Sequence, residues 1–279
     1  MTMPQALPTT IRIAKYTLTD EVRQKSFIIM FVVCALAILL VRGCYQGNFM
    51  VNGQALDANT VIRVVSKVIF HIIATGAMLL AALLSMRVFR RDRDDGMQAC
   101  ILSKPITRCQ YVAGKIIGLW VLLIIFMFVL HGIVFIIASI NLNIVMPEYL
   151  IASLICSFNL LFVIVAVLLF SLLMPDIIAF LCVMGIGIVS FVADGIFAIS
   201  RNQIGQTMQQ SGSLSDLSGW KVVYYLWPKL SGIQQFASSL IGSEGGQDFL
   251  SIYPVINVFI YVIILGALLL WRFRNEDII

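Results

Sequence analysis

The chain has 279 residues, of which 60% are apolar and only 12% charged, with a mean hydropathy of +0.98. A soluble domain carries about 25% charged residues, so an ordinary water-soluble fold is excluded and much of the surface must face lipid. The net charge of +5 comes without a basic stripe interleaved with aromatics. That argues against nucleic-acid binding and for cations held on one side of a membrane.

Ahead of the first apolar run, "TIRIAKYTLTDEVRQK" places Ile11, Ala14, Leu18 and Val22 on one face at 100° per residue, with Arg12, Asp20 and Arg23 turned away. Pro8 with Thr9 or Thr10 provides a helix start. The pattern predicts an amphipathic helix over 9–25, lying in the membrane plane with its apolar side down. Six apolar runs follow, at 27–44, 68–88, 116–140, 149–173, 177–199 and 252–271. Each approaches the roughly 20 helical residues that a bilayer core about 30 Å thick requires. The first is the shortest and is flanked by Lys25 and Arg42, whose stems can reach toward the two interfaces. Its "CALA" imitates a signal-peptide cleavage site, but a long polar lead and five further spans argue against cleavage. Apolar runs of this length without alternation exclude a β-barrel. The expected fold class is therefore all-α integral membrane, with one domain over 1–279.

The basic residues between the runs set the orientation. Thirteen Lys and Arg fall in the segments before the first run, between the second and third, and after the last. Six fall in the alternate set, although that set is longer. The positive-inside rule places both termini and the passage 87–115 in the cytoplasm. The six cysteines, Cys34, Cys44, Cys100, Cys109, Cys156 and Cys182, lack the spacing of a disulfide framework or a zinc site and read as small apolar residues.

Within the runs stand His71, His131, Asn159 and Asp194. Ionisable groups in a membrane span point to function by default, which makes His131 and Asp194 candidates for a pathway. Mutual packing is the competing reading. Two lone histidines do not form a metal site, and no catalytic triad or carboxylate pair is placed for chemistry, so the chain is not expected to be an enzyme. Gly185, Gly187 and Gly195 in the fifth run suggest a close helix approach or a kink. In the outer segment 200–251, Trp220, Tyr224, Tyr225 and Trp227 predict one or two short helices at the outer interface. Re-entrant insertion is the alternative.

The passage from Arg87 to Lys115 interrupts the apolar chain with seven Lys or Arg and three Asp. Asp92, Asp94 and Asp95 precede Gly96 and a short apolar-patterned segment with Met97, Cys100 and Ile101. Lys104-Pro105 ends that segment, because proline disfavours helix in the residue before it. This passage resembles the cytosolic loop of ABC-2 type transporter permeases on Asp92, Asp94, Gly96, Pro105, Arg108, Gly114 and Lys115. Relatives often carry Glu at the two acidic positions and Thr in place of Met97. The layout is similar too: an interfacial helix, six spans and a long outer segment before the last span.

The resemblance implies a coupling helix around 96–103 that seats in a groove of a separate ATPase subunit. Asp92, Asp94, Gly96, Met97, Cys100, Ile101, Pro105, Arg108 and Lys115 would form the ATPase-coupling set, with Asp176 in the tight "MPD" turn as a candidate second contact. It also implies a second permease subunit, a prokaryotic cytoplasmic membrane, and an exporter whose ATP and Mg are bound by the partner and not by this chain. Gly114-Lys115 lacks the earlier glycine of a phosphate loop. Two alternatives stand beside export. One is an ABC complex doing mechanical or signalling work. The other is an ion- or proton-coupled carrier with His131 and Asp194 as relay groups.

Overall fold

The computed structural model describes residues 3–40, 50–51, 54–55, 58–103, 106–142, 147–201, 227–241 and 252–275. In chain order the helices are α1 (Met3–Arg23), α2 (Lys25–Leu40), α3 (Ala58–Ser85), α4 (Val88–Asp94), α5 (Met97–Leu102), α6 (Arg108–Leu142), α7 (Glu148–Leu173), α8 (Asp176–Arg201), α9 (Leu230–Leu240) and α10 (Tyr253–Arg274). Two short strands, Met50–Val51 and Gln54–Ala55, pair antiparallel between α2 and α3.

Five helical stretches among the described residues are long and apolar enough to cross a membrane: Arg63–Asp94, Arg108–Ile140, Glu148–Leu173, Asp176–Gly195 and Tyr253–Arg274. The first expected run appears as a shorter apolar helix, Phe27–Leu36 within α2, and its predicted end at 41–44 lies outside the described residues. α6 starts eight residues before the predicted 116, because the loop itself supplies a helix start. The Thr107 amide donates to Gln110 Oε1 (3.1 Å) and the Gln110 amide to Thr107 Oγ1 (3.3 Å), a reciprocal capping box.

α7 is the central post. It packs against α3, α6, α8, α9 and α10, and every residue from Phe162 to Leu169 is buried. α8 and α10 lie outside it and expose Leu181, Ile188, Val192, Phe259, Ile260 and Ile263, as lipid-facing surfaces do. Glycines 185, 187 and 195 make no close approach, since a Cβ built on any of them meets nothing within 4 Å.

The close approach occurs instead between α1 and α6. A Cβ on Gly114 would stand 2.7 Å from the Ile13 side chain, and one on Gly118 would stand 2.7 Å from the Ala14 carbonyl oxygen. The face that α1 buries is therefore Ile13, Thr17 and Glu21, while Ile11 and Val22 of the predicted apolar stripe remain exposed. α1 carries two faces: one locked on α6, and one bearing part of the stripe expected to meet lipid.

Candidate functional site

At the end of the bundle where α3 and α6 are joined, α4 and α5 form a compact hairpin. Gly96 makes the turn with φ of +67°, a left-handed conformation that a side chain disfavours by about 1–2 kcal/mol. The Asp95 amide donates to the Arg91 carbonyl, the Gly96 amide to Arg93, and the Cys100 amide back to the Gly96 carbonyl, which opens α5. Gly96→Ala meets no steric obstacle, so its expected cost is this conformational penalty alone, about 1 kcal/mol. Faster amide hydrogen exchange confined to α4 and α5 would register it.

Beneath the hairpin lies a buried charge cluster. Lys115 Nζ is 2.6 Å from Asp92 Oδ2, with side chains 0% and 5% exposed. The Tyr111 hydroxyl donates to the same Asp92 oxygen. Tyr111 and Lys115 are four residues apart on α6 and so share one helix face, and the ammonium also lies 5.8 Å from the Tyr111 ring centroid and 5.7 Å from that of Tyr16 on α1. Arg91 reaches the other way, to Asp20 Oδ2 (2.6 Å) and Glu21 Oε1 (2.7 Å) on α1. Burial holds the Glu21 carboxyl above the usual carboxylate range, with Arg91 opposing the shift.

Three further links complete the base. Arg108 donates to the Phe273 (3.4 Å) and Arg274 (2.9 Å) carbonyls at the end of α10, satisfying groups that a helix C-terminus leaves open. Phe89, Tyr111 and Phe273 stack together, with centroids 5.3–6.4 Å apart. Asp176, opening α8, faces Arg90 at 3.5 Å. α1, α4, α6, α8 and α10 are thus all joined under the hairpin.

The predicted coupling residues separate by this geometry. Asp94, Gly96 and Cys100 are exposed on the hairpin, and Met97 and Ile101 are half-buried beside them. Asp92 and Lys115 point inward and bind each other, and Arg108 is spent on α10. A direct surface contact by Asp92 or Lys115 does not fit their burial. Their pairing holds α4 against α6. Pro105 lies outside the described residues.

The candidate pathway residues sit elsewhere and apart. His131 is fully buried, 2.9 Å from Ser153 Oγ, stacked on Phe70 at 4.8 Å and edge-on to Tyr149. Asp194 pairs with Lys229 Nζ at 3.5 Å. Their partners differ: a hydroxyl and stacked rings for His131, an ammonium for Asp194. Asn159 Nδ2 donates to the Leu230 carbonyl, and His71 Nδ1 is 3.3 Å from Gln234 Oε1. Among the described residues no group of three or more His, Cys, Asp or Glu is arranged to hold a metal ion.

A bundle of apolar helices with a charged hairpin tied across its base has a counterpart among known families. The family model described as "ABC-2 family transporter protein" matches residues 11–278. The chain belongs to the ABC-2 transporter family. No curated protein matches it. This ABC-2 permease is accordingly a multi-pass membrane component of a transporter. The residues that sequence reasoning passed over here are Asp20, Glu21, Arg91, Tyr111 and Gly118. One signal for them was legible: "GKIIG" at 114–118 is a small-xxx-small pair, the spacing that admits a second helix.

Proposed function

We propose that this permease is the membrane half of an ATP-driven exporter, worked by a separate ATPase subunit that grips the outside of α5. The observation that carries the reading is the division of the loop. Its tip offers Asp94, Gly96, Met97, Cys100 and Ile101, while its base is knotted by ion pairs and stacked rings to four other helices. A push on the tip is then transmitted to several spans at once, because a well-packed base does not deform gradually. Asp176, already paired with Arg90, joins the pushed unit at α8.

In this reading α2 counts as a sixth span, α1 lies along the cytoplasmic interface, and both termini are cytoplasmic. Two permease subunits work with two ATPase subunits, which bind ATP and Mg. The lipid-exposed helices α8 and α10 leave ample surface for the second copy.

Ile101→Asp places a charge at the half-buried anchor of α5, at a position that takes no part in the ion pairs of the base. It is expected to uncouple ATP hydrolysis from transport by weakening capture of the ATPase. Recovery of the ATPase on the tagged permease should fall at least tenfold, the effect of about 1.4 kcal/mol, while the permease itself elutes and melts as the parent does. Undiminished recovery, with parental transport-linked ATP turnover, would refute the reading.

A further inference from the structure

The described part of the outer segment, Trp227–Ile241, does not rest on the rim of the bundle. It is lodged inside, among α3, α7, α8 and α10. Its partners fix the depth. Asn159, which holds the Leu230 carbonyl, stands about 21 Å up α7 from Leu173. Ser190 stands about 21 Å up α8 from Asp176, and Ile186 about 15 Å, at 1.5 Å per residue. Both levels fall within a core about 30 Å thick. The segment also differs from the predicted interfacial aromatic belt: Trp227 donates its indole N–H to the Ile186 carbonyl at 3.2 Å, while Trp220, Tyr224 and Tyr225 lie outside the described residues.

Its two sides are held differently. Toward α10, Gly232 nests against Pro254, where a Cβ would stand 3.0 Å from the Pro254 ring. Toward α7, Leu230, Ile233 and Ala237 are fully buried. Those contacts are mainly close-packed, with one hydrogen bond on each side: Asn159 Nδ2 to the Leu230 carbonyl from α7, and the Lys229 amide to Asn257 Oδ1 on α10. Toward α8 the seam is polar and concentrated at 227–230, on one stripe spaced every four residues. Ile186 takes Trp227. Ser190 Oγ donates to the Pro228 carbonyl (2.9 Å) and accepts from the Leu230 amide (3.1 Å). Asp194 takes Lys229, both side chains 5% exposed. Asp194 Oδ2 accepts no hydrogen bond among the described residues.

We infer that the Lys229–Asp194 pair is a latch, and that the seam it closes, between α8 and residues 227–230, is the outward gate of the permease. The inference rests on the transport reading above. Packed apolar faces lose their contacts outright when separated. Polar groups exchange protein partners for water at small net cost, and a buried ion pair is near balance between desolvation and attraction. The polar seam is therefore the side that opens, and α9 stays with α7 and α10. Lys229 and Asp194 are positioning residues: they hold the gate shut and touch no cargo.

The test needs neither substrate nor nucleotide. Val183 is buried on the same face of α8, deeper than Ile186, and Val183→Cys reports whether water from outside reaches beneath the seam. The full-length chain would be carried in right-side-out membrane vesicles and treated with a membrane-impermeant maleimide. Labelling at position 183 is compared with the parent chain, which supplies the background from native cysteines. With the latch intact, labelling should be low. Lys229→Met and Asp194→Asn should each raise it about tenfold, the population shift expected when a buried pair is broken. The reversed pair, Asp194→Lys with Lys229→Asp, should bring it back down. Where a single variant fails to fold, the double neutral variant Asp194→Asn with Lys229→Met keeps the test open and should also label strongly. Equal, low labelling in parent and neutralised variants overturns the latch, as does labelling that stays high in the reversed pair. Neither result touches the ATPase-capture experiment, which judges the transport reading separately.

Discussion

Replacing Lys115 with Met is expected to destabilise the permease by about 3 kcal/mol or more, the scale seen when one partner of a buried ion pair is removed. Asp92 is 4% exposed and would keep only the Tyr111 hydroxyl, with no cation to offset its burial. Adding Asp92→Asn should return most of the loss, because the penalty is the stranded charge and not the missing attraction. Thermal unfolding of the detergent-solubilised protein would read both steps. Limited proteolysis would add the location, with new cuts at the α4–α5 hairpin in the single variant alone. A double variant no more stable than Lys115→Met would mean that the lysine acts through packing rather than through its charge.

Gly118→Leu should cost up to about 3 kcal/mol, the upper range for overfilling a packed site. Its Cβ would stand 2.7 Å from the Ala14 carbonyl oxygen and 2.8 Å from Thr17 Cβ. A backbone atom cannot rotate away as the tip of a flexible side chain can, so α1 must lift from α6. Lifting α1 withdraws Asp20 and Glu21 from Arg91, and the damage spreads to the hairpin base. Gly132→Ala on the same helix meets nothing within 4 Å and should leave stability unchanged, or raise it by up to about 1 kcal/mol through helix propensity. Equal melting of the two variants would dismiss the close approach. Accelerated protease release of α1 only in Gly118→Leu would support it.

The positions of the main helices were legible because lipid demands long apolar runs, and the hairpin was legible because Arg87 to Lys115 breaks them. The direction in which its charges face was not. A charged residue in a loop ordinarily points to water, and nothing near Asp92 in sequence announces that its partner is Lys115. That pairing needs α4 folded back on α6, a tertiary event. The same holds for Arg91, whose acids lie about seventy residues earlier. Arg108 was assigned to the loop motif, yet its use here is to cap α10, more than one hundred and sixty residues on. The depth of the outer segment stayed open between two readings for a different reason. "WPKLSGIQQF" is too polar to be a span and reads as an interfacial stretch, but its polar atoms are satisfied one by one from α3, α7, α8 and α10.

The joint of Arg108 with the last turn of α10, and of Tyr111 and Phe89 with Phe273, has a consequence in time. A ribosome delivers those α10 atoms only after the nine described helices before α10 have been made. Until then the hairpin lacks that part of its floor, so a chain that stops short of α10 carries a looser hairpin. Only a chain that has reached the last turn of α10 can hold the hairpin in its bonded shape.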